Sequence, residues 1–272
     1  MKKLLCAFYK RNLAFFNLAI ISNLEYRFNF FIDAVIQPLM VAGTEVLLWT
    51  AIFLSSAQST IGGFGVDSYL AYALWAAFFS RISTNWMYEF RMIEEVSSGT
   101  LNSLLVRPMS FYEYYLSQLL GYKFVVTFIS IIFPLAASFI FKLPLFIERL
   151  PLVLLLSFYY LLLVHSISFF ISNLAFYFTK ISSMTVAKNL LLWILMGELF
   201  PLDLLPTKVK EILCLLPFAS GVYVPISYLT GRIDSYYVQV GFVSITISLV
   251  IINALAYFMW NRSLREYTGT GA

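Results

Sequence analysis

Residues 238–260 read VQVGFVSITISLVIINALAYFMW, a run of 23 residues that contains no Asp, Glu, Lys or Arg. An α-helix needs about 20 consecutive apolar residues to cross the hydrocarbon core of a bilayer. Long apolar runs also begin at Phe28 and at Leu152. They are continuous and do not alternate between polar and apolar residues, which favours spanning helices over the strands of a barrel. The sequence therefore predicts an all-α integral membrane protein.

The composition of the whole chain agrees with this prediction. Of 272 residues, 61% are hydrophobic and 12% are charged, whereas a soluble domain carries about 25% charged residues. The net charge is +4, but the basic residues never form a block with interleaved aromatic residues, so we expect no nucleic-acid partner. The positive charge is better explained by attraction to the lipid bilayer. Cys6 and Cys214 lie in opposite halves of the chain and predict neither a disulfide framework nor a zinc site.

Residues 1–272 are predicted to form one membrane domain with six transmembrane helices. The second is weak because Arg81 and Asn85 precede its end, and the fifth is interrupted by Gly197, Glu198 and Pro201. The predicted spans are residues 28–54, 66–87, 119–141, 152–178, 184–205 and 238–260.

Three further segments do not span the membrane in this prediction. Residues 1–24 form an amphipathic helix at the membrane interface, although Arg11 falls on its apolar side and would have to snorkel. Residues 88–118 are polar and connect the second and third spans on the cytoplasmic side. The apolar pieces within residues 208–231 are too short to cross, which predicts a re-entrant segment before the sixth span.

The distribution of basic residues predicts the orientation. Thirteen of the 18 Lys and Arg residues fall on the side of the N-terminus. By the positive-inside rule both termini are cytoplasmic, although the three basic residues of the loop after the fifth span argue mildly for the opposite orientation.

Few residues qualify as chemically active groups. The chain has no P-loop and no His-Glu-x-x-His motif, and its single histidine, His165, lies within the fourth predicted span. His165 is either catalytic or a neutral imidazole hydrogen-bonded between helices. Glu45 and Glu198 are ionisable groups within predicted spans, and such groups are functional candidates because burying them in lipid is costly. The sequence leaves open whether Glu45 has a substrate or proton role or joins two helices.

Residues 94–110, EEVSSGTLNSLLVRPMS, are the most informative polar stretch. They resemble the segment after the second span of type 2 ATP-binding-cassette (ABC) permeases, which are mostly exporters. That segment has an acidic residue, Gly-Thr-Leu, a Leu-Leu pair, and a proline followed shortly by serine. In this sequence Gly99 would allow a sharp turn, Thr100 would cap the next helix and Pro108 would end it. Val96-Ser97-Ser98 depart from the family pattern, in which many members have a charged residue.

The resemblance implies a permease subunit of an ATP-driven exporter in the plasma membrane, which is a transport subunit and not an enzyme. It implies a second permease chain, identical or related, and a separate nucleotide-binding ATPase subunit that holds ATP and magnesium, so that no cofactor is bound by this chain. Residues 88–118 would then contain the coupling helix. The residues expected to contact the ATPase are Glu94, Glu95, Gly99, Thr100, Leu101, Arg107 and Pro108. The polar groups that could line the translocation path are Glu45, His165 and Glu198.

Two other function classes are alternatives to the exporter. A membrane-embedded lipid-modifying enzyme would use His165, Glu45 or Glu198 as acid or base, but such enzymes concentrate polar groups at one depth, whereas here they are scattered along the sequence. An ion-coupled secondary transporter predicts internal repeats with matched broken helices, and only one broken segment is visible.

Overall fold

The computed structural model describes residues 2–25, 27–56, 59–178 and 181–267, with side chains from residue 10 onwards. Over these residues the regular structure is helical and no strand is present; one isolated bridge joins Ile61 and Phe64, and turns and loops connect the helices. The α-helices are α1 (Lys2–Glu25), α2 (Arg27–Phe31), α3 (Gln37–Ser55), α4 (Val66–Ser83), α5 (Trp86–Ser97), α6 (Asn102–Leu105), α7 (Phe111–Ile140), α8 (Leu150–Leu174), α9 (Ser182–Leu195), α10 (Thr207–Leu215), α11 (Tyr223–Leu229) and α12 (Ser235–Glu266).

Among the described residues, four helical segments are long and apolar enough to cross a membrane. They are Arg27–Ser55, in which a π-helical turn joins α2 to α3, and the segments Phe111–Ile140, Ile147–Leu174 and Ser235–Glu266. The predicted second and fifth spans correspond to α4 and α9, which have 18 and 14 residues. The chain is therefore an all-helical membrane protein with four candidate spans, and the arrangement with six spans stays a prediction.

The shorter lengths of α4 and α9 have local causes. Helix α4 ends because Thr84 is extended, and α5 starts two residues later, after Asn85. After α9 the chain turns at Gly197, whose φ is +75°, a conformation that disfavours any residue with a Cβ. The carbonyl of Gly197 accepts a hydrogen bond of 2.6 Å from Tyr72 of α4, so this turn lies inside the protein.

Helix α8 lies at the centre of the packing, with α4, α5, α11 and α12 around it. Helix α4 is the most buried long helix, and Trp75, Phe78 and Phe79 are fully enclosed. Helix α4 is less apolar than the four candidate spans because much of its surface contacts protein rather than lipid.

The molecule has two ends, which we name by their contents. The coupling end holds residues 98–110, the first turn of α7 and the last turns of α12, where the hydroxyl of Tyr267 donates a hydrogen bond of 3.4 Å to the carbonyl of Gly99. The opposite end holds residues 59–65, 141–149 and 201–234. Helix α12 joins the two ends, and its 32 residues span about 48 Å at a rise of about 1.5 Å per residue.

Residues 207–229 are folded as short helices that enter and leave the core at the opposite end. Their deepest point is near Gly221, whose carbonyl accepts a hydrogen bond of 2.6 Å from Ser83 at the end of α4. At the entrance, Asp203 accepts a hydrogen bond of 2.6 Å from Tyr223 and forms ion pairs of 3.4 Å with Lys210 and Arg232. The path matches the shape of a re-entrant segment, although its depth in a membrane stays a prediction.

Helix α1 packs along the first half of α7. The contact is close at Gly121, where an added Cβ would lie 2.4 Å from the carbonyl oxygen of Phe16 and 2.9 Å from Cβ of Ala19. The absence of a side chain at Gly121 therefore allows the two backbones to approach. The predicted position of α1 at the membrane interface stays a prediction.

Candidate functional site

The turn after α5 carries the Gly-Thr-Leu motif at the coupling end. Gly99 has a φ of +77°, and Leu101 donates a backbone hydrogen bond of 3.0 Å to Glu95. The hydroxyls of Ser98 and Thr100 hydrogen-bond to each other at 2.9 Å. Thr100 does not cap the next helix as expected, because Leu101 occupies the N-cap position of α6.

The apolar residues of the motif are of two kinds: two are buried in the protein and two are exposed. Leu101 and Leu104 are 0% and 5% exposed and pack in a cluster with residues of α5 and α7. Leu105 and Val106 are 43% and 85% exposed. We name Leu105 and Val106 the apolar tip. The anchored leucines hold this tip in a defined position on the surface.

The two glutamates of the motif have different environments. Glu94 is exposed, whereas Glu95 is partly buried and faces Tyr115 of α7. Burial raises the pKa of the Glu95 carboxyl, while Tyr115 and the guanidinium groups of Arg107 and Arg91 act in the opposite direction. Glu94 and Arg107 are therefore accessible to a partner, and Glu95 points inward.

Helix α1 is joined to the turn through Arg11. Its guanidinium donates a hydrogen bond to the carbonyl of Pro108 and forms an ion pair of 3.5 Å with Glu113. Glu113 also forms the capping box of α7 with Ser110, with two reciprocal hydrogen bonds of 3.2 Å. Arg11 thus has acceptors within the protein, where the sequence predicted a snorkelling side chain.

Two contacts join α5 to α9. Lys188 of α9 forms an ion pair of 2.5 Å with Glu89 of α5, which is 1% exposed and also accepts a hydrogen bond of 2.7 Å from Ser168 of α8. The rings of Trp86 and Trp193 pack with their centroids 4.8 Å apart. Helix α5, which precedes the turn, is therefore joined directly to α9.

Two adjoining cavities lie between these helices. We name the larger one, of about 760 Å³, the vestibule; it lies between α1, α2, α5 and α7 at the coupling end. The smaller one, of about 270 Å³, is the inner cavity, lined by residues of α3, α4, α5, α7 and α9. The four residues that line both cavities are Asp33, Met87, Tyr88 and Tyr122.

Asp33 is the charged residue at the junction of the cavities. Its carboxylate accepts a hydrogen bond from Tyr122 and forms an ion pair of 3.5 Å with Arg81. Arg81 also donates a hydrogen bond of 3.1 Å to Gln37, and Lys123 donates one to the backbone carbonyl of Arg81. The basic groups of the inner cavity are thus already engaged by the protein.

The structure brings together two of the three polar groups predicted for the translocation path. Glu198 lines the inner cavity, and Glu45 lies within electrostatic range of it. His165 is elsewhere, fully buried between α8 and α7, where its Nε2 donates a hydrogen bond of 3.1 Å to the carbonyl of Tyr112. His165 therefore has the interhelical contact of the simpler sequence interpretation.

The family comparison matches residues 39–271, which include the motif of residues 94–110 and the sixth predicted span, to the ABC-2 family transporter protein family. The chain belongs to this family. As an ABC-2 family member it is a transport protein of the membrane, in agreement with the resemblance of residues 94–110 and with its apolar helices. No curated protein matches the chain closely enough to add to this assignment.

Sequence reasoning missed several residues of this ABC-2 protein's polar interior. Glu89 and Lys188 entered the sequence analysis only through the count of charges. Each lies at the end of an apolar run in a charge-poor chain, and this position could have indicated that the two residues form a buried ion pair. Asp33 lies in the first predicted span, and its contacts are with Tyr122 of α7 and Arg81 of α4. Their pairing depends on helix packing, which no local pattern encodes.

Proposed function

We propose that the chain is the permease subunit of an ATP-driven exporter and that a separate nucleotide-binding ATPase docks on the apolar tip. The observation that supports this most directly is the exposure of Leu105 and Val106 beside exposed charged residues, on a turn anchored by Leu101 and Leu104. An apolar centre with a polar rim is typical of a protein interface. Glu94 and Arg107 would belong to the rim, whereas Glu95 would support the turn from inside.

The movement of the ATPase would reach the spans through α5. The turn is continuous with α5, and α5 is joined to α9 by the Glu89–Lys188 pair and by the Trp86–Trp193 contact. Glu198, which follows α9, lines the inner cavity. A displacement of the turn would therefore alter the cavity without any contact between ATP and this chain. ATP drives the change because the ATPase binds it better in one of two states.

A second permease chain would complete the translocation path. Glu45 lies midway along α3 and is only partly buried within one chain. Ionisable groups within a membrane face protein or a water-filled cavity rather than lipid. A second chain beside α3, identical or related, would remove Glu45 from lipid. In this proposal both termini are cytoplasmic, and the membrane is the plasma membrane.

The first test is affinity purification of the full chain from its native host in mild detergent, with cross-linking in the membrane beforehand. We expect co-purification of a P-loop chain with vanadate-sensitive ATP hydrolysis, together with any second permease. Val106→Glu places a charge in the centre of the docking surface and should abolish co-purification of the ATPase.

The matched control for this variant is Val209→Glu. Val209 is also exposed, but it lies on α10 at the opposite end of the molecule. This variant should retain the ATPase. Retention of the ATPase by Val106→Glu, or equal loss from both variants while both remain folded, would contradict docking at the apolar tip.

A further inference from the structure

The vestibule and the inner cavity adjoin each other, and we name the two together the compartment; its dimensions suit a small amphipathic molecule. Ligand pockets for small organic molecules are typically about 300–1,000 Å³, and the vestibule alone encloses about 760 Å³. The two cavities adjoin at Asp33 and Tyr122, which line both, so a ligand in the vestibule would lie beside the inner cavity that contains Glu198.

The walls of the compartment are rich in aromatic rings. Phe30 packs edge-on against Tyr122 with centroids 6.0 Å apart, and Tyr88 lies 6.0 Å from the same ring. The Trp86–Trp193 pair lines the inner cavity. Such rings bind an apolar body and attract a cation over their faces.

The unpaired polar atoms of the compartment are mainly acceptors. Glu95 Oε2, Glu198 Oε2 and Asn85 Oδ1 are buried and have no hydrogen-bond donor in the described part of the chain, while the carboxyl groups of Glu95 and Glu198 also face the hydroxyls of Tyr115 and Ser80. Asn85 is 3% exposed, and its amide orientation is fixed by a hydrogen bond of 3.3 Å from Nδ2 to Ser168. Arg81 Nε is the one unpaired buried nitrogen among the lining residues.

The charges of the compartment agree with this imbalance. Asp33, Glu94, Glu95 and Glu198 line it, against Arg81, Arg91 and Lys123. In the inner cavity the two acidic groups are balanced by Arg81 and Lys123, which both act on Glu198. The excess of acidic groups lies in the vestibule, where Asp33, Glu94 and Glu95 outnumber Arg91. Buried acceptors without donors are costly, and a ligand that supplies N–H groups would satisfy them.

We infer that this compartment is the substrate site of the exporter and that its ligand is an amphipathic organic amine, bound as the ammonium ion. The ammonium group donates hydrogen bonds to the carboxylates of Glu95 or Glu198, and the aromatic walls hold the apolar body. This inference rests on the proposed function, since it identifies the class of molecule that the exporter carries.

The test is equilibrium binding of monodansylcadaverine to the full chain in nanodiscs at pH 7, followed by the fluorescence of the dansyl group. A primary amine is protonated at this pH. The matched probe is the N-acetyl derivative, which keeps the fluorophore and the alkyl chain but has no charge. We expect the ammonium probe to bind roughly tenfold more tightly, as is typical of a charged hydrogen bond.

The variants Glu95→Gln and Glu198→Gln locate the site. The variant that removes the contacted carboxylate should weaken binding of the ammonium probe and leave binding of the acetylated probe unchanged, and no loss in either variant would overturn the inference. Glu211→Gln, at an exposed position on α10, is the control and should bind both probes as the unmodified chain does. Equal affinity for the two probes would overturn the inference, and so would equal loss of both probes in the variants.

The comparison of the two probes on the unmodified chain decides the matter even if a variant fails to fold. The result of the binding experiment is also independent of the test of the proposed function. Co-purification of the ATPase tests the exporter assignment, and a chain that binds its ATPase but shows no preference for the ammonium probe would overturn only the ligand class.

Discussion

At the scale of single residues, the packing of α1 against α7 depends on one missing side chain. Gly121 and Gly43 both lie within helices, but an added Cβ would clash at Gly121 and would have nothing within 4 Å at Gly43. Alanine is favoured over glycine in a helix by about 1 kcal/mol. The two positions therefore separate the effect of the close contact from that of helix propensity.

We expect Gly121→Ala to lower the free energy of unfolding by roughly 1–3 kcal/mol, as overpacked sites do, and Gly43→Ala to leave it unchanged or raise it. The reporter is Cys214, which is 1% exposed and reacts with a thiol dye only after unfolding. Cys6→Ser removes the other thiol. Equal transition temperatures for both alanine variants would contradict the close contact of α1 with α7.

At the scale of elements, the ion pair between α5 and α9 is a buried charge contact with a definite consequence. Removing one partner of a buried pair leaves the other charge uncompensated, whereas replacing both with apolar groups is often neutral. The Glu89–Lys188 pair is a buried pair in this sense, because the Glu89 side chain is 1% exposed and the Lys188 side chain is 17% exposed.

We expect Glu89→Gln to destabilise the chain by roughly 3 kcal/mol and the double variant Glu89→Gln/Lys188→Met to recover most of this loss, measured with the Cys214 reporter. Glu266→Gln is the matched control, because its pair with Arg262 is solvent-exposed and 3.9 Å long. It should unfold as the unmodified chain does. If the double variant were less stable than Glu89→Gln, the charge account would be wrong.

At the scale of the whole molecule, the apolar tip and α10 lie at opposite ends of α12. In the proposed orientation, the coupling end faces the cytoplasm and α10 faces outward. Val106 and Val209 are both exposed, so each can carry an accessible cysteine.

With Cys6 and Cys214 replaced by serine, we expect Val209→Cys to react with an impermeant thiol reagent in intact cells. We expect Val106→Cys to react only after the cells are permeabilised. Labelling of Val106→Cys in intact cells would reverse the proposed orientation, and labelling of neither cysteine after permeabilisation would contradict their exposure.

The sequence by itself determined the membrane class, the helical fold and the family. These properties follow from local composition, because a run such as residues 238–260 has few stable alternatives in water or in lipid. The motif of residues 94–110 was equally local, and the family match agrees with it.

Only the tertiary structure decided which polar groups act together. It turned Glu95 inward and left Glu94 exposed, brought Glu198 near Glu45, and separated His165 from both. These outcomes depend on how helices far apart in sequence pack. The energy of a buried charge is set by the partner that packing places beside it, and a sequence pattern does not encode that partner.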